Sequence, residues 1–303
     1  MTLTQQKVPY SHWEFLHPTS GDRLRVIPER GGLVSAWRCG DRDVLYFDEE
    51  RFADPSKSIR GGIPVLFPIC GNLPDDRLEV DGLDHTLPQH GFARDLPWQL
   101  QLLDDQSGVR LSLSSSADTL KAYPFPFLLE MEIRPVANAL EITTTILNRG
   151  HRPMPFSFGL HPYFHVSDLG QARLTGLPER CLNHLEMADA ATADQLADLS
   201  QGVDFLCRPA GPVTLIDDSN GRRLQLQHQE PLDLTVVWTE PPRRMVCLEP
   251  WTGPRQALIS GDRKLELAPA AVLCRLCAAV TPLVDGRREG DRGRAVVSDQ
   301  TGV

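Results

Sequence analysis

The chain predicts an all-β fold, one large antiparallel β-sandwich, on three observations. Apolar residues recur at every second position through much of its length. Short turn signals separate those runs. Prolines fall inside apolar segments that would otherwise suit a long helix. The 25 prolines in 303 residues are about 8%, against a usual level near 5%, and Tyr123-Pro-Phe-Pro-Phe127 shows their placement.

In chain order, Cys39-Gly-Asp-Arg42 joins two apolar segments, and Asp81-Gly82 sits in a polar loop. Val109-Arg-Leu-Ser-Leu-Ser114 alternates cleanly, and Leu140-Glu-Ile-Thr-Thr-Thr-Ile-Leu147 is rich in β-branched residues. Asn148-Arg-Gly150 ends that strand, and Ser219-Asn-Gly221 precedes Leu224-Gln-Leu-Gln227. Leu232, Leu234, Val236 and Trp238 share one face of a single segment. Only Glu186 to Ser200, Ala-rich with Leu196 and Leu199 three apart, carries a helical composition. Strands without alternating helices favour a sandwich over a doubly wound α/β fold. Gly61-Gly62 is followed by Ile63-Pro64, so no strand-GxGxxG-helix unit supports dinucleotide binding.

The formal charge is -9, with 31 Lys and Arg against 40 Asp and Glu. No basic run supplies the footprint that nucleic acid or an anionic membrane requires. No apolar stretch approaches ~18 residues, and Met1 to Ser11 lacks the pattern of a signal peptide, so the expected location is cytoplasmic. Seven cysteines, spread thinly, predict reduced and mostly buried thiols. Cys274 and Cys277 have CxxC spacing but lie in a predicted buried strand, where residues three apart face opposite sides. From about Asp285 the chain turns to Gly, Arg and acidic residues. We therefore expect one sandwich domain over 1–283 and a disordered tail over 284–303. No apolar surface stripe is visible, which predicts a monomer.

Three segments depart from the plain strand pattern and place titratable groups among Gly, Pro and aromatic residues. The first holds Arg60-Gly-Gly-Ile-Pro-Val-Leu-Phe-Pro68 and, after a loop, Gln89-His-Gly-Phe-Ala-Arg-Asp-Leu-Pro-Trp98. The second is Gly159-Leu-His-Pro-Tyr-Phe164, and the third Cys247-Leu-Glu-Pro-Trp-Thr-Gly-Pro254. Strand ends and bulges of this kind aim side chains into clefts. A buried Glu249 is costly unless something pairs with it, and Arg255 or Arg244 is a candidate partner.

These four strings, in this order and at these separations, resemble the aldose 1-epimerase (galactose mutarotase-like) superfamily, and within it the hexose-6-phosphate mutarotase group. The likeness runs from about residue 15 to 280. It implies a β-supersandwich, no cofactor or metal requirement, and interconversion of aldose anomers, with a sugar or sugar phosphate as partner. Motif by motif it implies Glu249 as general base, His161 as general acid and His90 as a substrate-orienting or carbonyl-polarising residue. It further implies Arg60 and Arg94 as phosphate ligands, Gln89 on sugar hydroxyls, and Asp204, in a weaker motif, holding the sugar.

The chemistry asks for such a set on its own account. Opening a pyranose takes a proton from the anomeric hydroxyl and gives one to the ring oxygen; reclosure on the other face reverses both steps. Glu and His, ionising near ~4.3 and ~6.5 when unperturbed, supply that pair with modest tuning. Arginines offer a planar fork for phosphate oxygens. On an extended segment Arg94 stands roughly 13 Å beyond His90, so both reach one substrate only if the loop bends or Arg94 reaches back. Other readings stand beside this one. His161 and His165 are four apart, but Pro162 opposes a helix, and strand spacing separates them too far to share an ion. A cupin-like site joining one of them to His90 and Glu249 stays open. So do a non-catalytic sugar binder and a mutarotase of free galactose or glucose. Trp251, Phe92 and Tyr163 read as core or as an aromatic floor, and the remaining histidines, His184 among them, receive no role.

Overall fold

The computed structural model describes residues 3–40, 42–136 and 139–283, and of residues 274–277 and 282–283 the backbone alone. The predicted tail, 284–303, and the side chains of the Cys274/Cys277 pair lie outside this description. The sandwich is present. Two eight-stranded antiparallel sheets face each other, and the opening strands form a third sheet of five. The first large sheet has Val272–Leu283 and Ala139–Asn148 at its centre, and the latter pairs with Phe127–Val136 from Phe127↔Asn148 to Val136↔Ala139. The second carries Asp204–Cys207, Leu234–Trp238, Met245–Trp251 and Gly159–Leu160.

Period-two patterning accounts for the packing. Phe127, Leu129, Met131 and Ile133 point inward from one sheet, and Phe205, Val237, Val246 and Leu248 meet them from the other in one shared core. Met245–Trp251 is buried at every position because it is covered twice. Val246 and Leu248 enter the sandwich core, while Cys247, Glu249 and Trp251 leave the opposite face. Register then sets the neighbours on that face. Glu249 pairs with Val236, Cys247 with Trp238 and Tyr163, and Trp251 with Gly159. His161, between the paired residues 159 and 163, arrives beside Glu249.

Turn signals fall where expected. Cys39 pairs with Arg42 around a tight hairpin, and Asp81-Gly82 is the two-residue turn between Arg77–Val80 and Leu83–Thr86. Asn148 ends its strand and is fully satisfied although buried. Its Nδ2 donates to the carbonyls of Arg152 and Leu267 at 2.8 and 2.9 Å, and its Oδ1 accepts from the Gly150 N–H at 2.8 Å. The helix expected over 186–200 shrinks to Thr192–Ala197. Ala188–Ala191 forms a strand instead, because it pairs with Arg180–Asn183 and cross-strand hydrogen bonds outweigh alanine's helical preference. Short helices at Glu49–Phe52, Ala117–Ala122 and Ala257–Ser260 were not foreseen. The second has a reciprocal Ser116/Thr119 capping box, which a window tuned to long periodic runs overlooks.

Leu248 is fully buried in the inter-sheet core. We predict that Leu248→Ala lowers stability by about 2–5 kcal/mol, from lost transfer energy plus a residual cavity. Urea unfolding should show a lower midpoint with an unchanged m value.

Candidate active site

All of the predicted site residues, Arg60, Gln89, His90, Arg94, His161, Asp204 and Glu249, line one polar cleft of about 270 Å³ on the outer face of the second large sheet. Tyr163, Val236, Trp238, Trp251, Ser58 and Arg255 complete it. His165 is elsewhere, lining a separate depression with Arg42 and Asp217.

At the cleft floor His161 Nε2 stands 3.3 Å from Glu249 Oε1, and the Trp251 indole N–H donates to Glu249 Oε2 at 3.2 Å. Burial pushes the Glu249 carboxyl well above the usual carboxylate range, and the Asp204 charge pushes the same way, against the Trp251 hydrogen bond and the Arg255 and Arg94 charges. Burial, then the charges of Arg94 and Arg60, brings His161 down to about 3. Although the spacing is that of an ion pair, both directions favour the uncharged pair, and we describe it as a close contact between neutral groups. His161 is also clamped by aromatic rings. It stacks on Tyr163 at 4.6 Å and 10°, and meets Trp238 edge-on at 5.8 Å.

His90 reaches the same floor from a loop. Its backbone has φ 67°, the left-handed region that non-glycine residues seldom occupy. A reciprocal pair of hydrogen bonds holds it there: the His90 N–H donates to the Gly71 carbonyl at 2.6 Å, and the Gly71 N–H donates to His90 Nδ1 at 3.1 Å. Because Nδ1 accepts, neutral His90 carries its proton on Nε2. Gly71 is itself at φ 71°, and a Cβ there would lie 2.3 Å from Arg255 Cγ. Arg94 does fold back, its Nη2 donating to the Gln89 carbonyl at 2.9 Å, which resolves the reach problem posed by an extended segment.

The charged partners differ from the pairing expected of Glu249. Arg255 goes to Asp204 Oδ2 at 2.7 Å instead, while His184 Nδ1 meets Asp204 Oδ1 at 2.7 Å. His184 is thus a buried support for a cleft carboxylate, its ring lying 6.2 Å from that of Trp251. Arg60 is held by Glu240, with Nε at 2.9 Å and Nη2 at 3.3 Å, and its Nη1 donates to Ser58 Oγ at 2.9 Å. Arg243 Nη1 donates to Glu240 Oε2 at 2.9 Å, the same oxygen that Arg60 Nε reaches. Sequence reasoning missed these supports, because no local pattern joins residues 180 positions apart, as Arg60 and Glu240 are.

Residues 19–263 match the family model described as aldose 1-epimerase. The chain belongs to the aldose 1-epimerase family. It is an enzyme of the isomerase class, an epimerase. Among solved structures, this epimerase is similar to the Slr1438 protein of Synechocystis sp. PCC 6803, at 36% identity over 89% of this chain and 95% of that one, with a TM-score of 0.85. A galactose mutarotase related enzyme from Lactobacillus acidophilus shares the fold at 19% identity, 89% and 97% coverage and a TM-score of 0.73. An Escherichia coli K12 protein named "Putative glucose-6-phosphate 1-epimerase" is 28% identical over 225 residues, 72% of this chain and 71% of its own. Among the described residues, no helix of the epimerase is long and apolar enough to cross a membrane.

The raised Glu249 carboxyl predicts a particular stability profile. A carboxyl bound more tightly to its proton in the folded state stabilises fully below its unfolded value near ~4.3, and that contribution is lost as pH rises through its folded value. Glu249→Gln, which cannot ionise, should therefore gain in Tm over the natural protein as pH increases. Thermal melts from pH 4 upward (about the unfolded value) check this, and a constant difference would contradict it.

Proposed function

We propose that this epimerase interconverts the α and β anomers of an aldohexose 6-phosphate by acid/base opening and reclosure of the pyranose. The observation that carries the reading is the 3.3 Å contact between His161 and Glu249 at the floor of a cleft that also holds Arg60 and Arg94. The anomeric hydroxyl and the ring oxygen are bonded to the same carbon. An acid and a base serving both therefore have to converge on one small region of the cleft, each within hydrogen-bond reach of its own oxygen.

Within the neutral resting pair, transfer of a proton from Glu249 to His161 gives a carboxylate, which takes the anomeric proton, and an imidazolium, which gives one to the ring oxygen. The products are a neutral carboxylic acid and a neutral imidazole, the pair that burial favours. Ring opening thus returns the pair to its resting protonation state, and the ion pair exists only in passing. His90 offers its Nε2–H to a sugar oxygen. Gln89 and Asp204 meet hydroxyls, Asp204 through oxygens already set by His184 and Arg255. Tyr163, Trp238 and Trp251 wall the site and keep water from the open aldehyde.

Phosphate fits the arginine pair, since Arg94 and the outer edge of Arg60 face the same cleft. The two-point grip of Glu240 on Arg60 favours a second reading, a mutarotase of unphosphorylated hexose, because a carboxylate already neutralises that guanidinium. The related protein's name supports the phosphorylated substrate.

Two-dimensional exchange NMR of the anomeric signals of glucose 6-phosphate, glucose and galactose separates these readings. We expect acceleration for the phosphate ester above all. Glu249→Gln should slow it about 10²–10⁴-fold while leaving binding intact, whereas a pure sugar binder would show no catalysed exchange to lose. Arg60→Ala or Arg94→Ala should weaken the phosphate ester alone, by about 1.5–3 kcal/mol. Equal losses for free glucose would remove the phosphate site from the account.

A further inference from the structure

Cys247 has no part in the acid/base reading, yet it stands on the same face of the same strand as Glu249, two residues away. It is fully buried against Tyr163 and Met245, and its thiol lies 3.8 Å from Met245 Sδ. Its sulfur, a ring nitrogen of His161 and a carboxylate oxygen of Glu249 all lie within 4.8 Å of one another. Thiol, imidazole and carboxylate, with a thioether behind, form a donor set suited to soft and borderline cations and unsuited to magnesium or calcium.

The geometry is close to what such an ion needs. Tetrahedral zinc with bonds of about 2.0–2.3 Å keeps neighbouring ligand atoms roughly 3.3–3.7 Å apart. The His161 to Glu249 separation of 3.3 Å is already such an edge. Cys247 has to close by about an ångström at most, which a turn about χ1 supplies. Paired strands fix the backbone of Cys247 against that of Tyr163, two residues from His161, so little ordering cost remains.

We propose that the cleft floor binds one thiophilic divalent cation, of the zinc and cadmium class, through Cys247, His161 and Glu249, and that its occupation switches off the epimerase by engaging the acid/base pair. The thiol and carboxyl protons leave to solvent as the metal–sulfur and metal–oxygen bonds form. The resulting thiolate and carboxylate balance the charge of the dication. No electron is transferred. Binding is independent of the mutarotase reading, and only its inhibitory consequence rests on that reading.

The test uses the full chain with Cd²⁺ as probe, followed by thiolate-to-metal ultraviolet absorption, by ¹¹³Cd NMR and, separately, by anomeric exchange. We expect one cadmium per chain with a sulfur-shifted resonance and loss of exchange. Cys247→Ala should bind at least ~10-fold more weakly, lose the absorption band, keep its metal-free exchange rate and become resistant to cadmium. Cys247→Ser, closer in size, serves if the alanine variant misfolds, and Cys207→Ala, altered in the sandwich core, should behave as the natural protein does. A band that survives loss of Cys247, or inhibition by Mg²⁺ as strong as by Cd²⁺, overturns the site. Bound cadmium with undiminished exchange overturns the inhibition. A Cys247-dependent band in a protein that never catalyses exchange keeps the site and sinks the mutarotase reading instead.

Discussion

The double burial of one strand governs the rest of the molecule. Met245–Trp251 has the sandwich core on one side and the cleft on the other, so it carries Leu248 and Glu249 as neighbours with opposite surroundings. A carboxyl in the middle of a sheet is expensive wherever it lies. Here the expense is limited by keeping the carboxyl protonated, with a histidine and an indole N–H beside it and the charges of Arg255 and Arg94 near. Protonation, polarity and access in the cleft all follow from that arrangement.

The charges around this floor form supported chains and few simple pairs. Asp204 is held from behind by His184 and from the side by Arg255, which leaves its direction little freedom. Arg60 is stretched between Glu240, Ser58 and the face of Trp238, its guanidinium carbon 5.3 Å from the ring centroid. Glu240 in turn is shared with Arg243, which also reaches Asp48. Such a relay positions a cation well and also spends part of its charge internally, which makes substrate charge a finely balanced matter in this cleft.

Much of this was legible in the chain. Alternation in Val109–Ser114, β-branched residues in Leu140–Leu147, and turn residues at Asp81-Gly82 and Asn148 specify strands and hairpins because burial of one face and tight reversal are local demands. Gly, Pro and aromatic residues around a titratable group drew attention to the four motif strings, and the family that those strings resemble implied the individual cleft residues, Asp204 through a weaker motif. The supports were not legible. His184 sits in a polar stretch that suggested no role, and Arg255 is close in sequence to Glu249, so only the fold could hand it to Asp204. The Ala-rich stretch after Glu186 misled because pairing with Arg180–Asn183 is a long-range competitor that composition does not register.

Gly71 ties three parts of the cleft with a residue that has no side chain. Its N–H and carbonyl both close on His90, and its Cα leaves room for the Arg255 stem that reaches Asp204. A histidine from one loop and a carboxylate on the facing sheet are therefore mechanically joined through the space a hydrogen occupies. A change that fills this spot disturbs both at once, so the two answer to a single position as if they shared one hinge pin.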